Sequence, residues 1–145
     1  MKRRNRRANT HMWNCPRCRR PFTRPHQNHS CGRASVSDFI EGKTPPQVKL
    51  YRRFEKLALA VGAVNLAPAK ERIGFQHGRI FAAANGLSRN GLRIHIVTTA
   101  PIRSERVVRT EIMGPDCYVN HFLLRTVGDA DDEMSQWLRQ GYLWA

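Results

Sequence analysis

Acid is missing from the front of this chain. Residues 1–33 hold ten Lys or Arg (Lys2, Arg3, Arg4, Arg6, Arg7, Arg17, Arg19, Arg20, Arg24 and Arg33) and no Asp or Glu; the first acid is Asp38. The other residues carry fifteen Lys or Arg against eleven acids, so most of the formal net charge of +14 lies in the first 33 residues. A block so one-sided repels itself and does not fold unaided. Long apolar runs are also missing. No stretch approaches the about 18 consecutive apolar residues of a membrane helix. MKRRNRRANTHMWN starts basic but lacks the apolar run of about 7–15 residues that a secretory signal places next. The expectation is a cytoplasmic protein with no membrane contact, whose thiols stay reduced. Catalytic signatures are absent as well. There is no G-x-x-x-x-G-K-[ST], G-x-G-x-x-G or G-x-S-x-G, and Ser104, Glu105 and His121 are not spaced as a triad. No catalytic constellation is evident.

What is present suits one compact domain with a small appendage: 145 residues, 41% hydrophobic. The appendage is legible in CPRCRRPFTRPHQNHSC, Cys15 to Cys31, which holds three of the four cysteines. Zinc takes four ligands in a tetrahedron, usually thiolates and imidazoles. The two-residue spacing of Cys15 and Cys18 lets both sulfurs reach one ion from a tight turn. Cys31 is the third ligand, and His29 or His26 the fourth. In a reducing compartment such a set is a metal site before it is a disulfide. Four protein ligands leave no open position, so the zinc is structural and supplies folding energy to a segment too short to bury a core. Arg17, Arg19, Arg20 and Arg24 surround it, offsetting the negative charge of three thiolates and one imidazole. Trp13 and Phe22 are expected to form the unit's own small core.

CP-x-C, Phe22 and then HSCG at His29–Gly32 resemble the N-terminus of an uncharacterised bacterial family, the domain of unknown function 5655 family. The resemblance continues through Asp38–Lys43, where the family has D-x-F-x-G-K, through Lys70–Gln76, and through Trp137–Tyr142, where it has W-L-R-x-[AG]-Y. It implies a zinc-bearing N-terminus on an α+β domain, sometimes attached to restriction-modification-type modules, with no known reaction. It also favours His29 over His26 as the ligand, because the family's fixed histidine precedes S-C-G. Arg19 departs from the pattern, which more often has Gly after the second cysteine. A left-handed arginine there costs about 1–2 kcal/mol.

The remaining organisation follows from periodicity. Residues 1–12 are expected as a disordered basic arm, 13–34 as the zinc-binding unit, 35–44 as a linker with one helical turn around Ser37–Ile40, and 45–145 as an α+β domain. Pro45 and Pro46 open a helix whose apolar face is Leu50, Phe54, Leu57 and Val61, with Gly62 as its stop. Period-two alternation then predicts strands at Val64–Ala67, Arg72–Gln76, Arg79–Ala84, Leu92–Thr99, Arg106–Ile112 and Tyr118–Arg125. Turns at His77-Gly78, Asn85-Gly86 with Asn90-Gly91, Ala100-Pro101 and Gly114-Pro115 are short, which makes the sheet mostly antiparallel. A last helix is capped by Asp129, with Met134, Trp137, Leu138 and Tyr142 as its apolar stripe. The predicted core is Leu50, Phe54, Leu57, Ile73, Phe75, Phe81, Ile94, Ile96, Phe122, Leu124, Trp137 and Leu138, with Cys117 as a small core residue.

Alternation also sets Arg93 and His95 opposite Leu92, Ile94 and Ile96. One sheet face is therefore a candidate for a phosphate or carboxylate, against the plainer reading of a solvated face. The family resemblance, dense over Lys70–Gln76, implies Lys70 and Arg72 as the anion contacts. Glu105, Glu111 and Asp116 are expected as surface acids. The arginines 3, 4, 6, 7, 17, 19, 20 and 24, with Lys70 and Arg72, form the expected nucleic-acid or anion-binding set. The functional expectation is a zinc-stabilised protein that contacts nucleic acid through its basic N-terminal region. The alternatives are an α+β domain that senses or transforms a small anion, and an adaptor whose zinc unit docks on an acidic protein.

Overall fold

A computed structural model describes residues 13–22, 24–27 and 34–145 of the chain. Trp13–Asn14 (β1) pairs antiparallel with Pro21–Phe22 (β2), closing a small hairpin over the CPRC turn. Phe22 is buried and meets Trp13 at 5.9 Å between ring centroids, as a two-residue core requires. The hairpin is tied to the larger domain by Gln76 Nε2, which donates to the Pro21 carbonyl at 3.0 Å.

The stretch expected as a linker contains a short helix, Val36–Ile40 (α1). Ser35 and Asp38 form a capping box, each side chain taking the other's amide, and Phe39 is buried against Tyr51 at 5.2 Å. Pro45–Leu59 (α2) starts the same way, with Thr44 and Gln47 as the box and two prolines in the first turn. It ends at Leu59, short of Gly62. Its buried face is Leu50, Tyr51, Phe54 and Ala58. Tyr51, outside the expected stripe, is fully buried; its hydroxyl donates to Glu55 at 2.7 Å, which satisfies the one polar atom that goes in with the ring.

Six strands follow: Asn65–Pro68 (β3), Ile73–His77 (β4), Arg79–Ser88 (β5), Gly91–Thr98 (β6), Arg109–Gly114 (β7) and Cys117–Leu124 (β8). They form one antiparallel sheet in the order β3-β4-β5-β6-β8-β7, so the fold class is α+β as expected. Three predictions are corrected. Asn85-Gly86 is not a turn. The strand runs on to Ser88, and Asn85 is the unpaired residue of a β-bulge between Ala84 and Gly86. The turn is Arg89-Asn90, where Gly91 takes φ +126 and passes so close to Leu124 that a Cβ would sit 2.1 Å from its carbonyl oxygen. The strand expected from Arg106 begins at Arg109, because Arg106 is engaged elsewhere: it donates to both carboxylate oxygens of Asp131, at 3.0 and 3.1 Å.

The final helix, Asp132–Trp144 (α3), is capped by Asp131 and not by Asp129. Asp129 closes a separate 3-10 turn, accepting from the amides of Arg125 and Thr126. α2 and α3 cover one sheet face and share a core with Ile73, Phe75, Phe81, Ile94, Ile96, Phe122 and Leu124. Leu57 packs at its margin, only partly buried. Cys117 is half-buried and lies outside that core, at the start of β8. The crossover from β6 to the edge is pinned by Asn120, fully buried. Its carbonyl accepts from Ile102 N at 3.0 Å, and its amide donates to Ile96 O and Thr98 Oγ1. Among the described residues, no helix is long and apolar enough to cross a membrane.

Candidate functional site

The sheet face away from the helices is built from the residues that alternate with the core. Cross-strand register sets Ala67, Gly74, Ala83, His95, His121 and Arg109 in one row. The β3–β5 side of this row is small residues. The β6–β7 side carries the functional groups, and there a cleft of about 1010 Å³ opens, lined by Arg72, Asn85, Arg93, His95, Arg109, Glu111 and His121 among others. The basic sheet face anticipated from alternation thus takes shape as a concave site. Arg72 reaches it from the Ala69–Arg72 turn, while Lys70, exposed in the same turn, is not part of its lining. Arg93 lies over Gly86, where a Cβ would meet its guanidinium at 2.5 Å; a side chain at 86 would push the guanidinium off its bed.

Two histidines stand at the centre. His95 and His121 are register partners with ring centroids 5.7 Å apart. Each is held at one ring nitrogen. The bulge turns the Asn85 amide onto His95 Nδ1 at 2.8 Å, the kind of redirection for which bulges are used. Glu111 Oε1 accepts from His121 Nε2 at 2.6 Å and from Arg109 Nη2 at 3.1 Å. With the amide nitrogen toward the ring, His95 Nδ1 accepts and Nε2 carries the proton. Glu111 fixes the same tautomer in His121 through the other ring nitrogen: Nε2 carries the proton to the carboxylate and Nδ1 keeps the lone pair. His95 Nε2 and His121 Nδ1 have no partner among the described residues.

The electrostatics follow from burial and charge. Burial pushes the His95 imidazole down to about 4, with His121 and Arg72 adding to the shift, so it is neutral at pH 7. The His121 hydrogen bond holds the Glu111 carboxyl below its ordinary range, and Arg109 acts in the same direction. The site therefore offers guanidinium donors, a neutral imidazole and a carboxylate-oriented imidazole on one surface.

The domain of unknown function DUF5655 matches residues 36–145. The chain belongs to the DUF5655 family. No curated protein and no solved structure matches it. The DUF5655 match takes in α1 through α3 and every residue of the cleft, and it begins after the cysteine segment.

Other basic residues fall elsewhere. Arg79 stacks on Trp144, its guanidinium carbon 3.8 Å from the ring, away from the cleft. His77 ends β4, stacked on Tyr142 at 4.1 Å. Arg17, Arg19 and Arg24 are exposed on the small hairpin, and Arg20 lies over Phe22. Arg3, Arg4, Arg6, Arg7, His29 and Cys31 lie outside the described residues.

The CPRC segment forms a tight turn between β1 and β2. Arg19 has φ 60, the left-handed conformation that costs a non-glycine residue about 1–2 kcal/mol. Its amide donates to Cys15 O at 2.7 Å, and Cys15 N donates to Arg20 O at 3.0 Å. No disulfide joins Cys15, Cys18 and Cys117 to one another. Among the described residues no three His, Cys, Asp or Glu side chains form a metal-binding group. His26 is exposed, has φ 54 and packs on Trp13 at 5.1 Å.

Sequence reasoning missed Asn85 and the Glu111–His121 pair. The signal for the pair was present. A hairpin turning at Gly114–Asp116 brings position 111 beside 119–121.

Proposed function

We propose that the protein is a zinc-stabilised nucleic-acid-binding protein, in which the open-face cleft takes a backbone phosphate and the basic N-terminal region supplies the wider electrostatic hold. The cleft carries this reading. Arg72, Arg93 and Arg109 bring forked N–H donors to one concave surface, the geometry that matches phosphate oxygens, and the Glu111 carboxylate in its lining is already engaged by His121 and Arg109. Residues 1–33, with ten cations and no acid, extend that potential to a polyanion in place of a single small charge. In this reading Cys15, Cys18, His29 and Cys31 hold a structural zinc that supplies the small unit's folding energy. The tight turn closed by Arg19 on Cys15 supports a two-thiolate grip, and a reducing cytoplasm keeps the thiols available. The cleft volume also suits a small anionic ligand, since such sites span about 300–1,000 Å³.

Fluorescence anisotropy of a labelled oligonucleotide, with salt raised from about 50 to 200 mM, tests the reading. Affinity is expected to fall linearly on a log–log plot. Arg93→Ala is expected to weaken binding about 10-fold, as loss of a charge-assisted hydrogen bond does, and to flatten the slope by about 0.7–0.9. Salt-insensitive or absent binding would sink it. If Arg93→Ala changes neither quantity while neutralising Arg3, Arg4, Arg6 and Arg7 changes both, the cleft belongs to a small anion.

A further inference from the structure

The cleft holds more than a phosphate needs for binding. Guanidinium groups alone would serve that purpose, yet two imidazoles are locked at its centre, each by a separate neighbour. Asn85 occupies Nδ1 of His95 and Glu111 occupies Nε2 of His121. Each lock decides which ring nitrogen remains. His121 is left with an unpartnered lone pair on Nδ1, backed by a carboxylate that stabilises the ring once it gains a proton. That is the arrangement of an oriented general base. His95 is left with an unpartnered N–H on Nε2, a donor for an oxygen on which charge develops. The ring centroids are 5.7 Å apart on one sheet face. A hydrogen-bond reach of about 2.6–3.2 Å from each ring is of the size needed to span one phosphodiester group between them.

We infer that this cleft cleaves RNA by internal transesterification, with His121 as the base and His95 and the arginines as charge stabilisers. The inference rests on the phosphate-binding reading of the same cleft. The substrate supplies the nucleophile, its own 2′-hydroxyl. His121 Nδ1 takes that proton as the O2′–P bond forms. The charge gathering on the non-bridging oxygens is met by His95 Nε2–H and by Arg72 and Arg93. The P–O5′ bond breaks, and the leaving 5′-oxygen takes a proton from solvent water, which the open cleft admits. His121 then returns its proton to solvent, and the products are a 2′,3′-cyclic phosphate and a 5′-hydroxyl. No electron transfer and no other reactant is involved. Glu111 is a positioning residue in this scheme.

The test uses the full zinc-loaded chain with a labelled single-stranded oligoribonucleotide and its deoxy counterpart. Binding is read by anisotropy, and products by gel and mass spectrometry. The expected result is that both oligonucleotides bind, only the RNA is cut, and the new ends carry 2′,3′-cyclic phosphate. His121→Asn is expected to slow cleavage about 10²–10⁴-fold, the usual worth of a general base, with affinity within a few-fold. Glu111→Gln is expected to slow it less and to move the pH–rate profile, a change that a merely structural role would not produce. Circular dichroism of each variant separates loss of chemistry from loss of fold. RNA that binds and stays intact overturns the inference and leaves the binding reading standing. Cleavage undiminished in both His121→Asn and His95→Asn also overturns it, by assigning the cut to another site or a contaminant. If neither oligonucleotide binds, both readings fall.

Discussion

The two faces of the one sheet are written by the same strands and do opposite work. On the helix side, β6 and β8 present Leu92, Ile94, Ile96, Phe122 and Leu124, all buried in one core. One residue out of step, the same strands present Arg93, His95, His121 and Leu123 to a cleft. The covered face gains stability from apolar area removed from water. The open face carries charges and imidazoles whose burial would be costly unless partnered, and its two histidines are partnered. A period of two therefore separates stability from chemistry without separate segments for each.

The largest expected effect lies on the covered face. Phe54→Ala removes a fully buried ring that meets Phe75 edge-on at 5.5 Å. It should cost about 3–5 kcal/mol, read as a lower urea midpoint, with oligonucleotide affinity unchanged in the fraction still folded. A loss of affinity in that folded fraction would show that the faces are coupled.

Asn120→Ala should come next, at about 2–3 kcal/mol, because it strands buried groups at Ile96, Thr98 and Ile102. Asn120 also anchors the crossover that leads into β7. Binding should weaken along with stability here, since Arg109 and Glu111 ride on that strand. Intact affinity with lowered stability would show that β7 finds its place without the anchor.

The smallest effect concerns charge on the open face. Folded His95 titrates near 4 against 6.5 for an ordinary imidazole. Between those values the unfolded chain takes up a proton that the folded chain refuses, so stability is lost as pH falls from about 6.5 toward 4. His121 and Arg72 push the titration down and Glu111 pulls it up. His95→Gln should narrow the gap between urea midpoints measured at pH 7 and at pH 4.5. An unchanged gap would mean that His95 does not set the acid limb.

Much of this contrast was legible beforehand, and particular residues show where legibility stopped. The core positions Ile73, Phe75, Ile94, Ile96, Phe122 and Leu138 follow from alternation and helical spacing. So does the outward placement of Arg93 and His95. Asn85-Gly86 was misread because Asn-Gly is the strongest short hairpin signal, and the competing Asn90-Gly91 five residues later sets the register. Asp129 and Asp131 both have the chemistry of a helix cap. Only the 3-10 turn that consumes Asp129 decides between them. Arg106 looked like a strand residue because local propensity carries no information about Asp131, to which it is bound.

What the sequence determined by itself is whatever depends on spacing along the chain: the helix faces, the strands, the charge asymmetry and the Cys15–Cys18 pair. These rest on fixed geometric periods, which a string of residues displays directly. What only tertiary structure decided is which side chains meet across strands. Asn85 reaches His95 because a bulge adds one unpaired residue to β5. Glu111 reaches His121 because a second bulge, at Met113, and the β7–β8 turn set a diagonal register. Such contacts depend on the register of non-local hydrogen-bond ladders, which the whole sheet and its helices settle together.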